Sequence, residues 1–272
     1  MALSTLKAKL QAAQNTITPQ NLYNWNRLLA VVHAVQGIAI LLLSTTKLFP
    51  VQTNYLAVNP IATEIAKEPV LTNATQHLFD LNLAYIVAAF FFLAAIAHAL
   101  MATLYRKRYE ADLKQGSNKL RWIEFALSDA LMLVAIAVLC GVADISLLLT
   151  VAALAVGTNL IGLAMELRQV KGKPNWLLFA IGAGAGLVPW IVFAITLAAS
   201  SAHGNGSIDG FVYWIFGTLF VLFSAFAANI YLMMKKIGPW KEYAYGERMF
   251  MIISAVAKTA LAWQIFAGIL RP

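Results

Sequence analysis

Apolar residues dominate this chain in seven long runs, and polar residues gather in the stretches between them. Each run holds roughly 20 residues or more, the length that an α-helix needs to cross about 30 Å of hydrocarbon. The pattern therefore predicts an all-α membrane protein, a single domain (1–272) built as a seven-transmembrane helix bundle. We place the helices near residues 26–46, 79–103, 120–141, 145–166, 175–199, 210–234 and 246–270.

The first connection, residues 47–78, has a different pattern. It contains the stretches "FPVQTNYLAVNP" and "EPVLTNATQ", which hold several β-branched residues and have prolines near their edges. Such runs are typical of short strands bounded by turns. We expect a small β-hairpin here, lying over one mouth of the bundle.

Composition supports the membrane class. The chain is 61% hydrophobic and only 12% charged, and its mean hydropathy is +0.73. These values lie far outside those of soluble domains. The single cysteine, Cys140, excludes an internal disulfide framework. We expect no removable signal peptide, because the N-terminus lacks a long apolar core.

The positive net charge of +8 has a topological explanation. Sixteen of the 20 lysines and arginines belong to the N-terminus and the second, fourth and sixth connections, and three belong to the opposite side. Basic residues accumulate on the cytoplasmic side of membrane proteins. We therefore predict a cell-membrane protein with a cytoplasmic N-terminus and an extracellular C-terminus, and no nucleic-acid partner is needed to explain the charge.

Three strongly ionisable residues fall deep in the predicted helices: Glu124, Asp129 and Lys258. A charge at that depth costs several kcal/mol and usually has a partner. Helical side chains lean toward the N-terminus, so the Lys258 nitrogen should reach back toward Ser254, four residues earlier on the same face. The third helix runs parallel to the seventh, and Glu124 lies at a depth where it can meet that nitrogen.

Spacing alone leaves two interpretations of Lys258 open, a plain ion pair or covalent chemistry at the amine. His33 and His98 also lie within apolar runs, where a polar packing role is the ordinary alternative to proton transfer. Asp129 follows Glu124 by five residues, about 140° around a helix. It should therefore face a different neighbour, and the sequence assigns it no role.

Several stretches carry a family resemblance: "RWIEFALSDALM", "CGVADI", "GLVPW", "GFVYW", "YGERMF" and "SAVAKTALAWQIF". Together they resemble the heliorhodopsins, microbial retinal proteins with an inverted membrane orientation. The resemblance implies that Lys258 binds all-trans-retinal as a protonated Schiff base with Glu124 as its counterion. It also implies that Ser254 and Ser128 lie around the Schiff base.

The same resemblance suggests the rest of the retinal pocket. Where pumps place a tryptophan on the sixth helix, heliorhodopsins tend to have phenylalanine, and Phe223 falls there with Phe220 and Phe226 beside it. The remaining candidates are Met132, Gly162, Pro189 and Trp190, for which ordinary helix packing is the alternative.

Two positions depart from the family pattern. An asparagine expected on the fourth helix is Ala155 here, with Asn159 one turn later, and a glutamine expected on the sixth helix is Ile230. Both changes bear on spectral tuning. Neither touches the attachment at Lys258.

The resemblance predicts a light sensor and not an enzyme. Glu124, His33 and His98 would form a polar pocket that takes and returns the Schiff-base proton during a slow photocycle, because the pKa of histidine lies near physiological pH. A homodimer and a signalling partner, on the cytoplasmic or membrane side, are expected.

Two rival functions remain open at this level. The first is a light-driven ion pump or light-gated channel, although Ala135 occupies the position of a pump's donor carboxylate. The second is a transporter without chromophore that uses Lys258 and Glu124 as an ion pair.

Overall fold

The computed structural model describes residues 17–168, 173–203 and 208–272. Seven helices in these ranges are long and apolar enough to cross a membrane, as the sequence predicts. The elements in chain order are α1 (Pro19–Leu43), β1 (Leu48–Val58), α2 (Pro60–Ala66), β2 (Leu71–Asn82), α3 (Leu83–Ala102), α4 (Arg106–Lys114), α5 (Lys119–Leu139), α6 (Ile145–Leu167), α7 (Trp176–His203), α8 (Gly210–Lys235) and α9 (Tyr243–Ile265). A 3₁₀ turn (Gly238–Lys241) precedes α9, and a π-helical turn (Phe266–Leu270) follows it.

Polar capping residues mark where several of these helices begin. Thr18 accepts a hydrogen bond from the backbone N–H of Asn21 and is followed by Pro19, so α1 begins seven residues before the predicted start. Asn82 caps α3 in the same way. Because residues 79–82 belong to β2, the second spanning helix begins four residues after its predicted start.

The predicted β-hairpin is confirmed. Strands β1 and β2 pair antiparallel from Leu48–Asn82 to Val58–Leu71, with α2 at the tip. The hairpin is fastened to the turn between α5 and α6. There the N–H of Gln52 donates to the Ala143 carbonyl (3.0 Å) and the N–H of Asn54 donates to Asp144 Oδ2 (2.9 Å).

The bundle has two distinct ends, because consecutive spanning helices alternate in direction. We call the end that carries the hairpin, the α5–α6 turn and the C-terminus the hairpin end. The opposite end, which carries α4 and residues 236–242, is the basic end. Lys7, Lys9 and Lys171, which contributed to the charge count, lie outside the described residues. The orientation of these ends in a membrane stays a prediction.

Helix α5 lies at the centre of the bundle. Its most apolar window is 67% buried, against 17% for the corresponding window of α8. It packs on α3 and α6, and its side chains at the hairpin end, such as Leu133 and Ile136, belong to the main apolar core. A residue in the middle of α5 is therefore shielded by protein on most sides, which matters for Glu124 and Asp129.

A buried ionic cluster closes the basic end. Arg121 pairs with Glu166 of α6 and Glu247 of α9, and the hydroxyl of Tyr243 donates to Glu166 (3.0 Å). From α4, the hydroxyl of Tyr109 donates to Glu247 (3.4 Å). Burial, and then the neighbouring Glu247 carboxylate, raise the pKa of the Tyr109 phenol well above its ordinary value. The cluster therefore links α4, α5, α6 and α9.

Candidate functional site

The site is organised around Lys258 in the middle of α9. The side chain is 1% exposed. Its Nζ donates to Ser254 Oγ (2.7 Å) and lies 3.1 Å from Glu124 Oε1 of α5, in an ion pair rather than an aligned hydrogen bond. The four-residue spacing on α9 and the parallel course of α5 thus bring together the three residues that the sequence placed at one depth.

A second group of polar side chains adjoins this ion pair. His33 of α1 stacks on His98 of α3 with ring centroids 5.6 Å apart, and His98 Nδ1 is 2.7 Å from Asn26 Oδ1. Both ring nitrogens of His33 are buried without a hydrogen-bond partner among the described residues. The hydroxyl of Ser128, one turn beyond Glu124, is also buried and has no hydrogen-bond partner among these residues. These atoms can still take up a proton, a water molecule or a ligand.

An apolar chamber opens beside the ion pair, between α5, α6, α7 and α8. It encloses about 1000 Å³ of space between the side chains, counted out to its open mouth. Trp190 stands at the centre of its aromatic wall, with its ring centroid 5.4 Å from that of Phe220 and 5.6 Å from that of Phe223. Of the predicted pocket residues, Gly162, Pro189, Trp190, Phe220 and Phe223 line the chamber.

Phe125 separates the lysine nitrogen from this chamber. Lys258 Nζ lies 5.3 Å from the centroid of the Phe125 ring. That ring packs in turn on Phe226 (5.4 Å) and Phe250 (6.2 Å), which line the chamber wall. Met132 and Ser128 are buried on α5 but do not line the chamber. The amine is therefore about one aromatic ring away from the apolar space.

The structure explains why residue 162 is a glycine. A Cβ at this position would overlap the six-membered ring of Trp122, so the absence of a side chain lets α6 approach α5. The Nε1 atom of Trp122 is buried, and no described residue accepts its hydrogen. Gly162 thus shapes the chamber wall by admitting the indole.

The structure also adds residues that the sequence did not single out for the chamber. Asp129 lines it and accepts a hydrogen bond from Asn159 Nδ2 (3.1 Å), so it does face a different neighbour from Glu124, as the helical angle predicts. Trp122, Thr158 and Phe250 line the chamber as well, and so does Phe226, which the family resemblance had placed beside Phe223. The charge of Asp129 inside an apolar run was the one available signal, whereas aromatic and small residues are too common in membrane helices to be informative.

Comparisons with known proteins agree with this geometry. A crystal structure of cyanorhodopsin from the cyanobacterium Tolypothrix sp. is similar in fold, with a TM-score of 0.57 and 14% sequence identity over 90% of this chain and 89% of that one. No curated protein sequence matches the chain. The heliorhodopsin family profile matches residues 22–270. Because this match covers nearly the whole chain, the protein belongs to the heliorhodopsins, a family of retinal-binding membrane photoreceptors.

Proposed function

We propose that Lys258 holds all-trans-retinal as a protonated Schiff base, that Glu124 is its counterion, and that the protein is a light sensor. The observation that carries the proposal is the buried Lys258–Glu124 ion pair (3.1 Å) beside a large apolar chamber. Bound retinal supplies light absorption and isomerisation. Covalent attachment also explains why a lysine is retained at a depth where a charge is costly.

The residues present fit such a ligand. A long apolar polyene needs a narrow cavity with apolar and aromatic walls and an amine at one end. The chamber provides Trp190, Phe220 and Phe223 on one side, and the amine of Lys258 lies about one aromatic ring away, behind Phe125. Ser254 gives the nitrogen a hydrogen-bond partner besides its ion-pair partner Glu124.

Glu124 is proposed to hold the proton on the attachment nitrogen. In a buried site an opposite charge favours the charged form of its neighbour. When the nitrogen moves relative to Glu124 after light absorption, the proton can pass to the adjoining group of Glu124, His33 and His98. His33 supports this role, since both of its ring nitrogens lack a described partner and one can accept a proton.

The same arrangement favours signalling over ion transport. Between Asp129 and Asp144 the chain has no carboxylate and no histidine. In that stretch Leu133, Ala135 and Ile136 are buried in the apolar core. A path that carries protons across the membrane needs titratable groups or water on both sides of the lysine. The proton is therefore expected to return to the side that it left.

Membrane orientation, oligomeric state and partner also belong to the proposed function. We place the basic end in the cytoplasm, on the strength of the basic residues in its connections. By the family resemblance we expect a homodimer. A signalling partner would then meet the basic end or the lipid-facing helices.

The decisive experiment is expression with all-trans-retinal. Wild-type protein should be coloured, Lys258→Ala should be colourless, and the control Lys47→Ala, at an exposed position near β1, should keep the wild-type colour. A colourless wild type would favour the transporter interpretation. Whole-cell recording on coloured cells then tests the sensor function. A sustained photocurrent would show that the protein is a pump or a channel instead.

A further inference from the structure

Asp129 is a second buried carboxyl group at the chromophore chamber. Its residue is 8% exposed, and its oxygen Oδ2 accepts a hydrogen bond from Asn159 Nδ2 (3.1 Å). The orientation of the Asn159 amide is fixed, because Nδ2 also donates to the backbone carbonyl of Ala155 (3.0 Å) and a carbonyl can only accept. Asn159 therefore donates to Asp129 Oδ2, and none of the hydrogen bonds between described residues engages the second oxygen, Oδ1.

The charges around this carboxyl do not balance if it is ionised. Lys258 is a cation whose charge acts on Asp129, but it is already paired with Glu124. None of the ion pairs formed by the described residues includes Asp129. Two buried carboxylates would then share one cation. The ionisable groups of the packed elements that surround the site are Glu124 and Arg121 on α5, Lys258 on α9, His33 on α1 and His98 on α3, and Arg121 is engaged by Glu166 and Glu247.

An uncompensated carboxylate in an apolar wall is the costly alternative. Burying an unpaired ion is strongly unfavourable, and a carboxyl group avoids this by binding a proton. The amide of Asn159 is neutral and supplies one hydrogen bond, not a charge. A protonated Asp129 keeps that hydrogen bond on Oδ2 and gains an O–H donor on Oδ1.

We infer that Asp129 carries a proton and serves the chromophore chamber as a neutral carboxylic acid, held in place by Asn159. This inference rests on the proposed function. It assigns Asp129 a positioning role: it ties α5 to α6 at the chamber wall, and its neutral form leaves Glu124 as the sole counterion. A carboxylate at this point would compete with Glu124 for the attachment nitrogen.

Infrared spectroscopy of the pigment in lipid vesicles tests the protonation directly. The wild-type spectrum minus that of Asp129→Asn should contain the C=O stretching band of a protonated carboxyl group, and the band should shift in D₂O. In Asn159→Leu the same band should move to higher frequency, because the hydrogen bond to Oδ2 is lost. The control Ser224→Ala, which alters another polar residue of the chamber wall, should leave the band in place.

The possible results separate the inference from the proposed function. Carboxylate bands in the wild-type minus Asp129→Asn difference, or a protonated band that disappears only in Glu124→Gln, would overturn the inference while a coloured wild type upholds the function. If Asp129→Asn does not fold, the shift in Asn159→Leu decides. A wild type that never becomes coloured would overturn both.

Discussion

The substitution Glu124→Gln removes the negative partner of the buried Lys258 amine and changes little else. The two groups are 3.1 Å apart, and both residues are almost fully buried. Breaking a buried pair by removing one partner costs about 3–5 kcal/mol. Since one unit of pH corresponds to about 1.4 kcal/mol, the pigment should lose its visible absorption at a pH about 2 to 4 units lower than wild type. The smaller value is favoured because Ser254 still accepts from the nitrogen.

The assay is a spectrophotometric titration of the purified pigment from neutral to alkaline pH. While it is still protonated, Glu124→Gln should absorb further to the red than wild type, because positive charge spreads along the polyene when the anion is gone. Asp129→Asn is the matched control: it makes the same carboxyl-to-amide change on the same helix, and its spectrum and titration should stay close to wild type. An unchanged midpoint in Glu124→Gln, or a larger shift in Asp129→Asn, would refute the assignment of the counterion.

Three further changes test the packing around the site. Gly162→Ala should lower the yield of coloured protein, because a Cβ there overlaps the indole ring of Trp122. The control Gly184→Ala, where a Cβ meets nothing within 4 Å, should leave the yield unchanged. Equal yields for the two variants would contradict the close packing. Arg121→Leu leaves two buried carboxylates unpaired and should lower the free energy of unfolding by about 3–5 kcal/mol, read as a lower temperature of heat bleaching. Arg106→Leu, in a half-exposed pair, should lower that temperature far less. Similar losses would show that the cluster adds little. Asp144→Ala should lower the free energy of unfolding by about 0.5–2 kcal/mol, because it removes a helix cap. Burial would raise the pKa of the Asp144 carboxyl, but backbone N–H donors of the hairpin and of α6 lower it overall from 3.8. The stabilisation by Asp144 should therefore be complete above pH 3.8 and disappear as the pH falls through the lowered pKa; a difference between Asp144→Ala and wild type that persists in stronger acid would refute this.

The sequence predicted the parts of the fold that depend on a single chain segment. Seven apolar runs define seven helices because a bilayer tolerates no other arrangement of so much apolar length. The predicted helix ends were less accurate, because α1 begins after the Thr18 cap and β2 continues to Asn82. Local hydrogen bonds, and not hydropathy, determine these two boundaries. The Lys258–Glu124 pair was predictable because side-chain direction and depth can be computed for each helix separately.

The unpredicted parts depend on how the helices are rotated against each other. The contact of Asp129 with Asn159 requires the facing sides of α5 and α6, which the apolar pattern of a membrane helix does not mark. The cluster around Arg121 was missed for another reason. Its members lie near helix ends, where Glu166 and Glu247 look like ordinary polar residues of a connection.

That cluster has a mechanical consequence for the whole bundle. Helices α5 and α9 are bonded twice, by Arg121 to Glu247 and by Glu124 to Lys258. On α9 the two attachment points are 11 residues apart, about three helical turns. Two ion pairs at different heights on α9 should resist tilting of α9 against α5. We therefore expect light-driven displacement to occur in α7 and α8, which line the chamber and take part in none of the ion pairs between described residues.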